Sequence, residues 1–189
     1  MVAKSVRPGT FIAVVGPSGA GKDTVIAGAM AKRADLLLAR RVISRPPAPD
    51  TEDYDSVTTA EFAQRRAAGA FALHWKAHGL DYGIPISVTS DLLSGRHVIA
   101  NLSRTVIPAA RTAFQPFLCC VVTAEEDVLA TRLAARGRED VDDIARRLAR
   151  AAEPSPQGAD VRLIDNSGQL EQAINTFLGA LPPVQPVSA

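Results

Sequence analysis

The stretch FIAVVGPSGAGKDT, residues 11–24, places a short apolar run directly before a glycine-rich loop. The run is typical of a buried strand, and Gly16, Gly21 and Lys22 have the Gly-x4-Gly-Lys spacing of a phosphate-binding loop. In such a loop, backbone N–H groups and the N-terminus of the following helix hold phosphate oxygens, while the lysine reaches the terminal phosphates. The stretch therefore predicts a site for ATP built on a strand, a loop and a helix. The predicted nucleotide-binding residues are Gly16, Pro17, Ser18, Gly19, Ala20, Gly21, Lys22, Asp23 and Thr24.

The loop departs from the usual pattern at Asp23, where a serine or threonine ordinarily ligates Mg²⁺. A carboxylate beside a triphosphate is repelled unless a cation lies between them, and its oxygens suit Mg²⁺ well. Asp23 is therefore a candidate metal ligand. The alternative is that it turns away and stabilises the helix from its first turn. Thr24 remains available to the α-phosphate.

Composition is that of an ordinary globular protein, with 189 residues and 47% hydrophobic residues. This length suggests one domain. The formal net charge of +1 gives no reason to expect a nucleic-acid or membrane partner. Residues 1–10 lack the apolar segment of a signal peptide, so a cytoplasmic location is expected. The oligomeric state stays open. Cys119 and Cys120 are adjacent in an apolar run, which predicts two reduced, buried thiols because a disulfide between strand neighbours would be strained.

Strand and helix patterns alternate along most of the chain, which predicts a parallel sheet covered by helices. We expect a core at about residues 10–44 and 84–182, and a disordered tail at about 183–189. Residues 45–83 differ in character, with a polar loop, a short helix and a hairpin around His78 and Gly79. This insertion is expected to form a lobe over the acceptor site.

An arginine-rich stretch, RLAARGREDVDDIARRLARA, occupies residues 132–151. Phosphoryl transfer needs positive charge around the transferred group. We therefore expect a mobile lid at about 136–147. Its Arg136 and Arg147 are expected to act catalytically together with Lys22 of the loop, and Arg138 is a further candidate. The alternative is a solvated helical hairpin held by salt bridges.

Several segments together resemble the guanylate kinase family: GPSGAGK at 16–22, SRPPAPDTEDYDSVTTAEF at 44–62, GAFALHWKAHGLDYG at 69–83, the arginine-rich stretch, and LIDNSG at 163–168. The resemblance implies a P-loop NTPase fold, a three-layer α/β/α sandwich with a parallel sheet, an acceptor-binding lobe and an arginine-rich lid. It also implies acceptor-phosphate contacts from Arg45, Tyr54 and Tyr82, and places Asn166 near the adenine.

The residues that read guanine in that family are not kept, because Leu73 and Ser103 stand at the aligned positions. Leucine accepts no hydrogen bond, and sites built to bond a polar group discriminate strongly when it is lost. The motifs GKDT, GAFALHW and AHGLDYGIP instead resemble a smaller branch of the fold, kinases that act on ribose 1,5-bisphosphate in phosphonate catabolism. This resemblance implies ATP-dependent phosphorylation of the sugar 1-phosphate to 5-phospho-α-D-ribose 1-diphosphate. The alternatives are a nucleoside monophosphate kinase and a non-catalytic binding module.

The second phosphate of such an acceptor needs its own ligand. Lys76, His74 and His78 lie in the lobe strands, and Lys76 is the candidate we include in the substrate site. Trp75 is interpreted as lobe core, with a stacking platform as the alternative.

Overall fold

The computed structural model describes residues 7–46, 53–135 and 154–183. The strands are β1 Phe11–Val15, β2 Leu36–Leu38, β3 Val42–Ile43, β4 Asp55–Ser56, β5 Phe71–Ala77, β6 Leu80–Pro85, β7 His97–Asn101, β8 Phe117–Thr123 and β9 Val161–Asp165. The helices are α1 Lys22–Lys32, α2 Thr59–Ala67, α3 Val88–Leu93, α4 Ile107–Ala113, α5 Glu126–Ala135 and α6 Leu170–Ala180. A 3-10 turn at Arg104–Val106 leads into α4. None of these helices has the length and apolar character needed to span a lipid bilayer.

The main sheet is parallel and has the strand order β2-β7-β1-β8-β9. Its central strand β1 is buried along its whole length, as expected for a parallel strand covered on both faces. On one face, Phe11 stacks on Phe114 with ring centroids 3.9 Å apart, and α3 and α4 complete that core. On the other face, Ile12 and Val14 pack with residues of α1, α5 and α6. The predicted three-layer α/β/α arrangement is confirmed.

A smaller sheet, with the order β4-β3-β6-β5, forms the lobe. The hairpin between β5 and β6 turns at His78 and Gly79, whose φ angles of 52° and 75° are those of a tight hairpin turn. Helix α2 begins with a capping box between Thr58 and Glu61. Because β3 belongs to this sheet, the lobe reaches slightly beyond the predicted range of 45–83.

Both thiols of β8 are free and buried, as predicted. Burial raises the pKa of Cys119 to about 11 and that of Cys120 to about 12, because the thiolate is poorly solvated there. The predicted lid at 136–147, with Arg136, Arg138 and Arg147, lies outside the described residues, and so does the tail from 184 onward.

Candidate active site

The carboxyl ends of β7, β1 and β8 converge at one edge of the main sheet, where ligands bind in folds of this class. The loop from Gly16 to Gly21 lies at this edge and leads directly into α1. Gly16 has φ 150° and Gly21 φ 82°. A Cβ at Gly16 would lie 2.0 Å from the carbonyl oxygen of Val122, so this close approach to β8 requires glycine.

Lys22 is held within the loop. Its Nζ donates to the carbonyl oxygens of Gly16 at 3.0 Å and Pro17 at 2.9 Å. The ammonium group therefore lies across the loop that is predicted to carry the phosphates. Both carbonyls are neutral acceptors, so an anionic phosphate competes with them favourably for the charged donor.

Asp23 is exposed in the first turn of α1 and contacts the end of β7. Asn101, the last residue of β7, donates from Nδ2 to Asp23 Oδ1 at 3.0 Å. The Asp23 carboxylate and the Asn101 amide are therefore in direct contact, next to Lys22. Sequence analysis singled out Asp23 and missed Asn101, whose only signal was a polar residue at the end of an apolar strand.

Asn166 is buried directly after β9, with 2% of its surface exposed. Its Nδ2 donates to the carbonyl of Ala20 at 2.8 Å, so it connects the phosphate-binding loop to the end of β9. Its Oδ1 has no partner among the described residues, and the same holds for Nη1 of Arg132 on α5. Buried polar atoms without a partner are rare in folded proteins. The unpaired acceptor and donor indicate a place for a polar ligand or for water.

Arg132 and Asn166 meet at the start of α1. A Cβ at Gly21 would lie 2.5 Å from Asn166 Nδ2 and 3.9 Å from Arg132 Nη1. Sequence analysis did not select Arg132 for the site. The available signal was its position in the arginine-rich stretch, one helical turn before Arg136.

A cleft of about 380 Å³ joins the loop to the lobe. One wall is the loop with Lys22, and the opposite wall is the β5–β6 hairpin. Residues 101–104 and Arg41 line the remainder. Lys22, Arg41, His78 and Arg104 are its basic residues, and no carboxylate is found among the described residues that line it. The cleft is therefore suited to an anionic ligand.

The hairpin presents alternate side chains to the cleft. Trp75 and Tyr82 lie directly opposite each other with their rings stacked at 5.3 Å, and both line the cleft. Trp75 also packs against the main core. Their neighbours Lys76 and Asp81 form the next pair, on the other face, with Nζ and Oδ1 3.5 Å apart. The geometry therefore brings Tyr82 into the site but turns the Lys76 side chain, which is 76% exposed, away from it. The role assigned to Lys76 stays a prediction without support from its position.

Arg45 and Tyr54 contact each other. The guanidinium lies 4.5 Å from the centroid of the Tyr54 ring, and Arg45 Nε donates to Tyr54 Oη at 3.1 Å. The tyrosine hydroxyl in turn donates to the carbonyl of Pro46 at 2.8 Å. Neither side chain borders the cleft in this conformation. Their predicted contact with an acceptor phosphate stays a prediction.

Arg41 is a cleft residue that sequence analysis did not select. Its guanidinium lies 5.6 Å from the centroid of the Tyr82 ring, and Nη1 donates to the carbonyl of Asn101 at 3.0 Å. Of the positions aligned with guanine readers, Leu73 is buried in the main core. Ser103 borders the cleft with its hydroxyl 3.0 Å from that of Thr105. The cleft therefore has two arginines, Arg41 and Arg104, and no carboxylate among its described lining residues.

The chain is similar to known proteins in both sequence and fold. No protein-family model matches the chain. The chain is 46% identical to ribose 1,5-bisphosphate phosphokinase PhnN of Brucella melitensis, with 90% of each chain covered. It is 47% identical to a bifunctional ribose 1,5-bisphosphokinase-thymidine phosphorylase of Cupriavidus pinatubonensis over 92% of its own length, and spans 29% of that longer protein. Guanylate kinase from Anaplasma phagocytophilum has the same fold, with a TM-score of 0.65 at 15% identity, covering 92% of this chain and 84% of that one.

Proposed function

Because the chain belongs to the ribose 1,5-bisphosphate phosphokinase family, we propose that it transfers the γ-phosphoryl group of ATP to the 1-phosphate of ribose 1,5-bisphosphate. The products are ADP and 5-phospho-α-D-ribose 1-diphosphate. A cytoplasmic location stays a prediction.

The observation that carries the proposal is the character of the cleft. It joins an intact phosphate loop to a lobe, and its described lining has basic residues and no carboxylate. An acceptor with two phosphate groups suits such a lining, whereas a guanine base would find no carboxylate to accept its hydrogen bonds. Its volume of about 380 Å³ lies in the usual range for small-molecule sites.

On the donor side, Lys22 neutralises the β- and γ-phosphates once it exchanges its loop carbonyls for phosphate oxygens. The donor set beside it fits Mg²⁺, because the Asp23 carboxylate and the Asn101 side-chain carbonyl are hard oxygen ligands. When bound, Mg²⁺ supplies charge neutralisation at the phosphates. Asp23 and Asn101 would hold it.

We propose that Asn166 and Arg132 hold the nucleoside end of ATP. Asn166 Oδ1 is an acceptor without a partner and Arg132 Nη1 a donor without one among the described residues, so together they complement a ring that carries both donor and acceptor groups. Both lie at the start of α1, on the side of β9. This agrees with the prediction that Asn166 lies near the adenine.

On the acceptor side, the attacking group is an oxygen of a sugar phosphate. That oxygen is already ionised at neutral pH, so no general base is required. Catalysis then depends on alignment and on charge stabilisation in a site from which water is excluded. Tyr82 borders the cleft and orients an acceptor phosphate through its hydroxyl, with Arg45 and Tyr54 as further proposed ligands. Arg136 and Arg147 are proposed to approach the transferred group from the lid.

The test is identification of the product by ³¹P NMR after incubation of the protein with ATP, Mg²⁺ and either ribose 1,5-bisphosphate or GMP. We expect a new diphosphate on the sugar and no GDP. Turnover of GMP alone would refute the proposal. Lys22→Ala should remove turnover with the fold retained, and Lys32→Ala is the matched control. Lys32 lies at the far end of the same helix, where it contacts Glu171 and Asn175.

A further inference from the structure

We propose that Arg41, assisted by Arg104, binds a phosphate group of the acceptor, and that this arginine pair selects a bisphosphorylated sugar over a nucleotide. The inference rests on the proposed function, because it names the residues that recognise its acceptor. It concerns binding alone, so it can be tested apart from turnover.

The position of Arg41 carries the first part of the inference. Arg41 directly precedes β3, and Ile43 of β3 pairs with Tyr82 of β6. Arg41 therefore stands where the lobe joins the main sheet. Its side chain spans this junction, since the guanidinium packs on the Tyr82 ring at 5.6 Å and donates to the Asn101 carbonyl at 3.0 Å. Both contacts orient the group inside the cleft.

The guanidinium group of Arg41 is also chemically suited to binding a phosphate. A guanidinium has five N–H donors in a planar fork that matches two phosphate oxygens. One donor can fix the position of the group while the others bind a ligand. Its half-buried setting on an aromatic ring strengthens this, because arginine held in one orientation loses less conformational entropy on binding.

Arg104 brings a second positive charge to the same wall. It begins the 3-10 turn that follows β7, directly after Ser103, and it borders the cleft with Arg41. Two arginines on a wall whose described residues include no carboxylate favour a dianionic group strongly over a neutral base. This wall also includes Ser103, where the guanine-reading residue would stand.

The adjacent residue Arg40 provides a contrast. It is exposed and pairs with Asp53 and Asp55 on the outside of the lobe, with Arg40 Nε 2.9 Å from Asp55 Oδ1. It does not border the cleft. Arg40→Gln therefore removes the same charge at the neighbouring position without touching the proposed ligand, and it is the matched control.

The experiment is calorimetric titration of ribose 1,5-bisphosphate into the wild type, Arg41→Gln, Arg41→Lys, Arg104→Gln and Arg40→Gln, in the absence of ATP. Fluorescence of Trp75, the single tryptophan of the chain, places the ligand because this ring borders the cleft. We expect Arg41→Gln to weaken binding by about 10- to 100-fold, since a charge-assisted hydrogen bond is lost. Arg104→Gln should weaken it by a smaller factor. Arg41→Lys should fall between the wild type and Arg41→Gln, because it keeps the charge but loses the fork.

Titration of each variant with ADP separates recognition from folding. Affinity for ADP should stay within about twofold of the wild type, because a role at the acceptor leaves the donor site intact. An equal loss of ADP and bisphosphate affinity would identify a structural role and overturn the proposal. Unchanged bisphosphate affinity in both glutamine variants would also overturn it.

Titration with ribose 1-phosphate and with ribose 5-phosphate distinguishes which group Arg41 holds. A loss confined to ribose 5-phosphate assigns Arg41 to the 5-phosphate, and a loss confined to ribose 1-phosphate assigns it to the reacting group. Either result supports the proposal. If the wild type makes no sugar diphosphate from ATP, the proposed function fails by that measurement, whatever the binding results are.

Discussion

Asn101 donates a hydrogen bond from Nδ2 to Oδ1 of Asp23 at 3.0 Å, across 78 residues of sequence. It joins the end of β7 to the first turn of α1, beside Lys22. In the usual phosphate-loop enzyme, the loop supplies a hydroxyl and a second segment supplies an aspartate to the metal. In this protein the residue after the loop lysine is a carboxylate, Asp23, and the end of the neighbouring strand carries an amide, Asn101. The proposed metal site therefore has one carboxylate as usual, but on the side of the loop.

Substitutions at Asp23 and Asn101 test whether the two side chains bind the metal ion. We expect Asp23→Ser to weaken binding of the metal–ADP complex by about tenfold or more, because the only charged ligand of the pair is removed. The measurement is Mn²⁺ electron paramagnetic resonance in the presence of ADP, with Mn²⁺ in the place of Mg²⁺. Binding of metal-free ADP should change much less.

The control for this change is the double variant Asp23→Ser/Asn101→Asp. It recreates the usual arrangement of a loop hydroxyl and a strand carboxylate, and we expect it to recover much of the lost Mn²⁺ affinity. If Asp23→Ser alone binds Mn²⁺ and ADP as the wild type does, Asp23 serves the helix and not the metal.

The close approach of the loop to β8 makes Gly16 intolerant of a side chain. Gly16→Ala should lower the free energy of unfolding by about 2 kcal/mol or more, because it combines an unfavourable φ with a steric clash. The clash is with the backbone carbonyl of Val122, 2.0 Å from an added Cβ, so it cannot be relieved by a rotamer change. Urea denaturation followed by circular dichroism measures the effect.

Gly179 on α6 is the matched control for that substitution. A Cβ there meets nothing within 4 Å. Gly179→Ala should stabilise the protein by up to about 1 kcal/mol, since alanine is the better helix former. Equal destabilisation by the two substitutions would contradict the argument.

Arg111 and Asp160 tie α4 to the start of β9. Arg111 Nε donates to Asp160 Oδ2 at 2.7 Å and Nη2 to Oδ1 at 3.0 Å, a bidentate pair. The hydrogen bond from Arg111 lowers the pKa of Asp160 below its ordinary value of 3.8. Asp160→Asn should lower the free energy of unfolding at pH 7 by about 1 kcal/mol, because both groups are partly solvated.

The difference in stability between wild type and Asp160→Asn should depend on pH, because the pKa of Asp160 is lowered in the folded protein. The contribution of Asp160 to the stability of the fold is present above its unfolded pKa near 3.8. It is lost as pH falls through the lower pKa of the folded state. The difference in stability between wild type and Asp160→Asn should therefore shrink as pH falls below the unfolded pKa near 3.8, as measured by urea denaturation at several pH values. A difference that persists undiminished at pH 2 would show that packing, not charge, is responsible.

The two cysteines of β8 should be chemically inert in the folded protein. Burial raises the pKa of Cys119 to about 11 and of Cys120 to about 12, so almost no thiolate is present at pH 8. A disulfide reagent should label them only after denaturant is added. Because unfolded thiols ionise near pH 9 and the folded ones do not, stability should fall as pH rises from about 9 toward 11. Rapid labelling under native conditions would contradict the burial of β8.

The sequence by itself determined the loop, the strand before it and the helix after it, because these depend on covalent neighbours and on local backbone freedom. It also predicted the parallel sheet and the hairpin at His78 and Gly79, since apolar periodicity and turn residues are local signals. Asp23, the unusual residue after the loop lysine, could also be recognised from the sequence alone. The expected loss of guanine recognition rested on Leu73 and Ser103, at the positions aligned with the guanine-reading residues of guanylate kinases.

The tertiary structure alone decided which of these residues share a site. Sequence analysis selected Lys76 as a ligand and interpreted Trp75 as lobe core, but alternation along β5 sends their side chains to opposite faces, and Trp75 is the one at the cleft. Only packing against the core selects the face. Arg41 lies in the cleft, whereas its neighbour Arg40 lies outside it and pairs with Asp53 and Asp55. The pairing of Asp23 with Asn101 depends on β7 lying beside β1, which is a property of strand order. Strand order is set by the burial of whole faces across the sheet, and no local pattern encodes it.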